Sequence, residues 1–313
     1  MNAKNTTNPF RFGMQVDAPL PGLDWLDSAR KVEDSGFSSL LMPDHFEGQF
    51  GPIAALSAAA AVTTTLKIGA LVFGNDYRHP VILAKEMATI DQISGGRLEL
   101  GLGAGWMRTD YDKAGMNYDR PGLRIDRMIE SLEVIRKCWG PDQFDYQGEH
   151  YQLAGYDGMP KPVADGGPPI IIGGGGPRML GVAATYADVV GVTANLRAGE
   201  IGPEAIADSA PDAYDTKVAR VREVAGDRHI ELSSLTMATI VTDDREGQIE
   251  GLAAMFGMPA EVLSKSPAVL VGDVDDICDA LVERRERWGF SYVVVQADAG
   301  DGFNEVVARL AGS

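Results

Sequence analysis

Two kinds of segment alternate along this chain, and they differ in the spacing of their hydrophobic residues. Short runs of mostly apolar residues, with no polar face, predict strands that are buried on both sides, which is typical of a parallel sheet. Longer segments with apolar residues three and four positions apart predict amphipathic helices that pack on such a sheet. The predicted strands are residues 10–16, 38–42, 67–73, 97–102, 170–172, 188–192, 230–241 and 292–296.

A segment with helical periodicity follows each predicted strand. Proline in the first turn, as at Pro52 and Pro80, marks where some of these helices begin. Glycine after the last turn, as at Gly36 and Gly95, marks where others end. The predicted helices are residues 24–36, 52–64, 80–95, 120–138, 177–186, a segment that ends at Gly226, 246–288 and 303–310.

Eight strands, each followed by a helix, in a chain of 313 residues predict a (β/α)8 TIM barrel with insertions after strands 4, 6 and 7. The alternative is a doubly wound open sheet, which usually has fewer strands and a clear switch point. Hydrophobic residues make up 45% of the chain and no internal linker is evident, so residues 1–313 are expected to form a single domain. A barrel would gather its functional residues at the C-terminal ends of the strands.

The fifth predicted strand runs into four consecutive glycines, which are Gly173, Gly174, Gly175 and Gly176. Pro177 fits the first turn of the following helix, and the guanidinium group of Arg178 places a positive charge beside it. A glycine-rich turn that opens a helix gathers backbone N–H groups and the positive end of the helix dipole, which favours a phosphate or another anion. A flexible loop before a helix is the alternative, because the glycine spacing is not that of a dinucleotide-binding motif.

Charge and composition narrow the class of partner. The net charge of −17 argues against nucleic acid or an anionic membrane as the main partner, because both would repel the protein. Cys138 and Cys278 fall in helical apolar patterns, which indicates core thiols in a reducing compartment and neither a disulfide framework nor a metal cluster. Residues 1–8 are polar, and the longest apolar run, residues 53–62, is too short to span a bilayer. We therefore expect a cytoplasmic protein that acts on a small molecule.

Two polar residues, Asp44 and His45, directly follow the second predicted strand. Imidazole ordinarily titrates near neutrality, so His45 can donate a proton to a reacting group and is the first candidate for chemistry. The alternative is a loop histidine that is satisfied by a neighbour. Asp44 either orients His45, binds a ligand or caps the following turn. His79, next to Pro80, is expected to start a helix.

Several of these stretches together resemble the bacterial luciferase-like superfamily of flavin and deazaflavin oxidoreductases. The resemblance is strong over residues 10–195 and weak beyond them. It implies a TIM barrel that holds its cofactor at the C-terminal mouth, with the cofactor phosphate in the glycine turn and the flat ring across the strand ends. The stretches that carry it are Asp44-His45, residues 77–80, residues 95–106, residues 160–162, the glycine turn and Ala187-Asp188.

The resemblance also implies roles for individual residues. Leu71-Val72 corresponds to the bulge behind the ring, where relatives have a non-proline cis peptide bond, and Trp106 would form a wall of the substrate pocket. The expected catalytic residues are His45, Asp44 and Trp106, and no metal is expected. The expected cofactor-binding residues are Asp44, His45, Leu71, Val72, Gly103, Gly105, Thr109, Gly173, Gly174, Gly175, Gly176, Pro177, Arg178, Thr193 and Arg197.

The Asp-His pair after the second strand resembles the branch that uses the deazaflavin coenzyme F-420, with FMN as the alternative cofactor. In the best-known deazaflavin dehydrogenases, which act on sugar phosphates, a catalytic glutamate occupies the position of Trp106. The resemblance therefore does not imply that this chain acts on sugar phosphates. The resemblance thus implies a coenzyme F-420-dependent oxidoreductase that transfers a hydride between the cofactor and a small organic substrate. Dimers are common in the family, so a homodimer is expected. Arg78, Arg108 and Lys161 are candidates to meet an acidic tail of the cofactor.

Three other functions stay open. One is an FMN-dependent monooxygenase of the same superfamily, and another is a flavin-binding module without turnover. The third is a phosphate-binding barrel aldolase or isomerase, which would need a lysine or a carboxylate base at a strand end, where this sequence offers few. The sequence between residues 106 and 120, 142 and 166, and 196 and 213 carries no pattern that identifies a substrate.

Overall fold

Eight parallel strands close into a barrel in the computed structural model, which describes residues 8–313. Each strand pairs with the next one in chain order, and the first also pairs with the eighth, which closes the ring, confirms the TIM barrel and excludes the open sheet. Residues 1–7, most of the polar N-terminal segment, lie outside the described residues. The barrel strands, called first to eighth below, are Arg11–Gln15, Ser39–Met42, Lys67–Ala70, Leu98–Gly103, Ile170–Gly174, Val189–Val192, Glu231–Leu235 and Phe290–Gln296.

Helices surround the barrel, and several begin with a proline, as the sequence indicated. Proline is tolerated there because its missing N–H would have no partner in the first turn. The helices are Trp25–Asp34, Pro52–Val62, Pro80–Ser94, Arg108–Ala114, Pro121–Trp139, Pro177–Tyr186, Pro203–Ala207, Pro211–Ala225, Arg245–Phe256, Ala260–Leu263, Val274–Trp288 and Phe303–Leu310, with 3-10 turns at Asn75–Tyr77 and Ala297–Ala299. Within residues 8–313, no helix is both long and apolar enough to cross a bilayer.

The barrel strands are buried on both faces, which explains why most of their residues are apolar. Ile171 belongs to a cluster made only of strand residues, with Leu41, Val189 and Val294, inside the barrel. Its neighbour Ile172 belongs to the larger cluster between strands and helices. Burial of one such side chain contributes about 1.5–3 kcal/mol, so the two layers together account for the closed ring.

The N-terminal ends of the strands carry a layer of paired charges. Glu99 accepts hydrogen bonds from Arg11 at 2.8 Å and from Lys67 at 3.0 Å, and Arg11 also binds Glu231. The Arg11 guanidinium lies 3.5 Å from the ring centroid of Tyr292. This layer fills the end of the barrel that is opposite to the candidate site.

Two predicted elements differ from the structure. The predicted strand 230–241 breaks, because the Thr236 N–H still donates to the eighth strand whereas the Met237 N–H turns to Ala268. The chain then continues as strand Ala238–Val241, which pairs with a strand Val269–Gly272 that was predicted as part of a helix. This four-residue apolar run lies between two helices and is too short for its periodicity to distinguish a strand from a helix.

A third element, the long loop after helix Pro121–Trp139, was predicted to lack secondary structure. It contains an antiparallel hairpin of Phe144–Gln147 and Gln152–Tyr156. Further elements outside the simple βα repeat are helix Arg108–Ala114 after the fourth barrel strand and helix Pro203–Ala207 after the sixth.

Candidate active site

His45 lies just beyond the second barrel strand and contacts two residues of the loop after the fourth. Its Nδ1 is 2.7 Å from Oδ2 of Asp110, and its ring meets that of Trp106 edge-on, with centroids 5.7 Å apart. Asp110 is 5% exposed, whereas 25% of the His45 side chain is exposed. When a buried carboxylate binds Nδ1–H, Nε2 is the ring nitrogen left to exchange a proton.

A tyrosine from the third loop completes this hydrogen-bond network. The Tyr77 hydroxyl donates to the same Asp110 Oδ2 at 3.2 Å. Burial, followed by the charge of Asp110, raises the pKa of Tyr77 above its ordinary value, so the phenol stays protonated and acts as a donor. Three loops thus meet at one carboxylate.

Asp44, although adjacent to His45 in the chain, binds a different partner. Its two carboxylate oxygens bind both terminal nitrogens of Arg78, and Oδ2 also accepts the Gly74 N–H at 2.9 Å. This bidentate pair ties the second loop to the third. Asp110, and not Asp44, therefore orients His45. Arg78, a candidate for an acidic cofactor tail, is instead engaged with Asp44.

The predicted third strand is interrupted at Leu71-Val72, and the peptide bond between these residues is cis. The Leu71 carbonyl accepts a hydrogen bond from Gln15 Nε2 at 2.8 Å, and pairing with the fourth strand resumes at Phe73–Gly74. A Cβ atom at Gly103 would lie 2.6 Å from a methyl group of Val72. The Val72 side chain therefore leaves no room for a side chain at position 103.

The Trp106 loop is held from both sides. The Tyr118 hydroxyl donates to the Trp106 carbonyl at 2.8 Å, and the Arg108 N–H donates to Gly199, in the loop after the sixth strand, at 3.1 Å. Gly105 has a φ of 76°, and a Cβ atom there would lie 2.0 Å from the hydroxyl oxygen of Tyr111. Only glycine fits this position, which directs Trp106 toward His45.

The glycine turn closes the fifth strand and opens helix Pro177–Tyr186. The N-cap, Gly176, has no side chain, so the first-turn N–H groups are left for a ligand or solvent. A Cβ atom at Gly175 would lie 2.4 Å from the Thr193 carbonyl oxygen, whereas at Gly173 the nearest atom, the Gly191 carbonyl oxygen, would be 3.9 Å away. Backbone packing explains Gly175, and the space beside Gly173 and the free N–H groups fit a bound anion.

The charged and hydroxyl residues predicted around this turn lie in different environments. Arg178 points to helix Pro121–Trp139, where it pairs with Asp126 and donates to the Gly122 carbonyl at 3.1 Å. Thr193 is adjacent to the turn, because its N–H donates to the Gly174 carbonyl at 3.1 Å. Arg197 and Thr109 are exposed, the latter in the first turn of helix Arg108–Ala114.

Sequence reasoning missed two residues that fix these loops. Lys217 is 5% exposed and donates to the Thr193 carbonyl at 3.0 Å while it pairs with Asp208. Asp110 was not distinguished from the other acidic residues of its segment. One signal points to it: the dipeptide Asp-Tyr follows two consecutive strands, as residues 76–77 and again as residues 110–111.

Comparison with known proteins adds to this geometry. The chain matches the family model of luciferase-like monooxygenases over residues 8–292. The 5,10-methylenetetrahydromethanopterin reductase of Archaeoglobus fulgidus is 33% identical over 225 residues, covering 70% of this chain and 65% of that protein. The FMNH(2)-dependent dimethylsulfone monooxygenase of Pseudomonas fluorescens is 30% identical over 176 residues, covering 53% of this chain and 48% of that protein. This chain thus spans about half to two-thirds of the length of these relatives.

A solved structure extends the likeness to the fold of nearly the whole chain. The coenzyme F-420-dependent tetrahydromethanopterin reductase of Methanopyrus kandleri superposes with a TM-score of 0.75 and 22% identity, over 96% of this chain and 99% of that one. The closed barrel and the match over residues 8–292 lead to one conclusion. This chain belongs to the luciferase-like monooxygenase family.

Proposed function

We propose that this protein is an oxidoreductase that binds coenzyme F-420 and transfers a hydride between this deazaflavin and a small organic substrate. The observation that carries the proposal is His45, which binds buried Asp110 through Nδ1 beside the ring of Trp106. The glycine turn opens at the C-terminal ends of the same barrel strands. The similarity to reductases of methylenetetrahydromethanopterin supports the choice of reaction.

Each part of the site has a defined task in this proposal. The N–H groups at the start of helix Pro177–Tyr186 bind the cofactor phosphate, beside Thr193. The deazaflavin, when bound, supplies the carbon that gives or takes the hydride. His45 holds on Nε2 the proton that balances this transfer: reduction of the substrate consumes one hydride and one proton, and oxidation returns both. Trp106 bounds the pocket and excludes water.

A titration of the purified protein with coenzyme F-420 and, separately, with FMN tests the cofactor. We expect coenzyme F-420 to bind at least about tenfold more tightly than FMN, a difference of about 1.4 kcal/mol in binding free energy. The change in absorption of each cofactor measures its binding. FMN binding without a response to coenzyme F-420 would favour the FMN-dependent monooxygenase, for which the dimethylsulfone monooxygenase is a precedent. Binding of neither cofactor would favour the aldolase or isomerase, and binding without turnover of any screened substrate would favour a flavin-binding module.

We also propose that residues 1–313 form one domain and that the protein is a cytoplasmic homodimer. The contiguous hydrophobic cluster between strands and helices, which runs from Phe10 to Leu310, supports the single domain. Sedimentation equilibrium tests the dimer, for which a mass twice that of the chain is expected.

A further inference from the structure

Two identical dipeptides from neighbouring loops exchange hydrogen bonds near His45. Tyr77 donates to Asp110 at 3.2 Å, and Tyr111 donates to Asp76 at 3.0 Å. Each dipeptide, Asp76-Tyr77 after the third strand and Asp110-Tyr111 after the fourth, thus gives one donor and receives one. The two tyrosine rings pack together with centroids 5.5 Å apart. We call this arrangement the crossed Asp-Tyr pair.

In the crossed pair Asp110, Tyr111 and the carboxylate of Asp76 are buried and Tyr77 is half-buried, which keeps the donors and acceptors in fixed roles. Tyr111 is fully buried, and burial is the main cause that raises the pKa of both Tyr77 and Tyr111. Both phenols therefore stay protonated at neutral pH and can only donate to the carboxylates. A buried hydrogen bond to a charged group contributes about 1.5–3 kcal/mol, so the two loops are held firmly in register.

The two halves of the crossed pair differ in their third partner. Asp76 faces a cation, because Arg127 lies 3.4 Å from its Oδ1. Asp110 faces His45, whose Nδ1 lies 2.7 Å from the same Oδ2 that accepts the Tyr77 hydroxyl. One half therefore ends at a structural ion pair, and the other ends at the candidate proton donor.

We propose that Asp110 and Tyr77 are positioning residues that hold neutral His45 in the tautomer with its proton on Nδ1. Asp110 accepts that proton's hydrogen bond, and Tyr77 fixes the carboxylate oxygen that accepts it. The free lone pair of Nε2 can then take up a proton and deliver it to the substrate. This assignment rests on the proposed function for its purpose, but the tautomer itself is a property of the protein without cofactor.

The tautomer can be measured by nitrogen-15 NMR of histidine-labelled protein without cofactor. The chain has four histidines, and His45→Gln assigns the signals of His45. In the parent protein at a pH where His45 is neutral, we expect the Nδ1–H tautomer. In Asp110→Asn the Phe46 N–H, which lies 3.5 Å from Oδ1 of Asp110, favours the amide oxygen at that position. The amide NH2 group then faces Nδ1, so the Nε2–H tautomer should become the main form.

Two single-atom deletions separate positioning from general support. Tyr77→Phe removes the hydroxyl that fixes Asp110, and we expect partial loss of the Nδ1–H tautomer. Tyr111→Phe removes the matching hydroxyl from the other half, which does not reach His45, and should leave the His45 signals unchanged. Equal changes in the two variants, or an unchanged His45 in Asp110→Asn, would overturn the proposal.

Kinetics give a second readout. With coenzyme F-420 and a turned-over substrate, Asp110→Asn should lower kcat about 10²-fold, with KM within about threefold of the parent, because proton transfer and not binding is affected. Parent-like kcat in Asp110→Asn would contradict the assignment. If the protein binds no deazaflavin, the proposed function fails and the NMR result alone still decides whether Asp110 sets the tautomer.

Discussion

At the scale of single residues, the site depends on which way two neighbouring side chains turn. Asp44 and His45 are consecutive, yet Asp44 binds Arg78 beneath the third loop while His45 reaches Asp110 and Trp106. The two side chains bind residues of different loops, so two adjacent polar residues can have different tasks. Asp44 joins loops, and His45 is left with one nitrogen for chemistry.

We predict that His45→Ala lowers kcat by about 10² or more but changes the dissociation constant of the cofactor by less than about threefold, because a general acid acts in the transition state. Steady-state kinetics and a fluorescence titration measure the two effects. His79→Ala is the matched control: His79 is exposed and accepts the Val81 N–H at the start of a helix. A near-normal rate in His45→Ala would remove His45 from the mechanism.

At the scale of elements, the loops that carry the site are held by contacts which need particular backbone shapes. Gly105 and Gly115 flank helix Arg108–Ala114, with similar φ values of 76° and 69°. An added Cβ atom would lie 2.0 Å from the Tyr111 hydroxyl at Gly105, but would meet nothing within 4 Å at Gly115. The two positions therefore share the cost of the backbone conformation and differ in packing.

Gly115→Ala is expected to cost about 1–2 kcal/mol for the left-handed conformation alone. Gly105→Ala should cost about 1–3 kcal/mol more, because the clash displaces Tyr111 or the Trp106 loop. Urea unfolding measures both variants. Equal free energies of unfolding for Gly105→Ala and Gly115→Ala would show that Tyr111 can move aside without loss of stability. The contact between Gly105 and Tyr111 would then not fix the loop.

A second element-scale contact predicts a dependence on pH. Glu33, at the end of helix Trp25–Asp34, accepts the N–H groups of residues 64–66 ahead of the third strand. Burial alone would raise the pKa of Glu33, but these hydrogen bonds outweigh it and lower the pKa to about 2. The folded pKa is below the ordinary value of 4.5, so the ionised carboxylate stabilises the fold above that pH.

Glu33→Gln should therefore be less stable than the parent near pH 6, by about 1 kcal/mol after allowance for solvent screening. The difference should shrink as the pH falls from about 4.5 toward 2, since protonation of Glu33 removes the same contribution from the parent. Urea unfolding at several pH values checks this. Asp34→Asn, at an exposed neighbouring position, is the control, and a difference that is constant with pH would contradict the assignment.

At the scale of the whole molecule, the residues that stabilise the barrel and those of the candidate site lie at opposite ends of it. The charged layer of Arg11, Lys67, Glu99 and Glu231 lies where the strands begin, and the candidate site lies where they end. The paired charges at the first end support the fold, whereas polar groups at the second end can bind a ligand. Changes at the first end should therefore alter stability without altering binding.

Glu99→Gln tests this separation. The Glu99 side chain is only 1% exposed and accepts hydrogen bonds from both Arg11 and Lys67. Its loss should cost about 1–3 kcal/mol, because Arg11 keeps Glu231 and the Lys67 side chain is 43% exposed to solvent. Glu231→Gln, at a side chain that is 17% exposed, should cost less, because Arg11 keeps Glu99. Urea unfolding and cofactor titration measure stability and affinity, and a large fall in affinity for Glu99→Gln would contradict the separation.

The sequence by itself determined the alternation of strands and helices, the glycine turn and the position of Asp44-His45 at the end of the second strand. These features follow from local patterns, because burial on both faces makes a strand apolar and an open turn needs glycine. The tertiary structure alone decided that Asp110 and not Asp44 binds His45, that Arg78 binds Asp44, and that the chain leaves the barrel at Thr236. Each of these depends on loops far apart in the chain that meet only when the barrel closes, so no local periodicity records them.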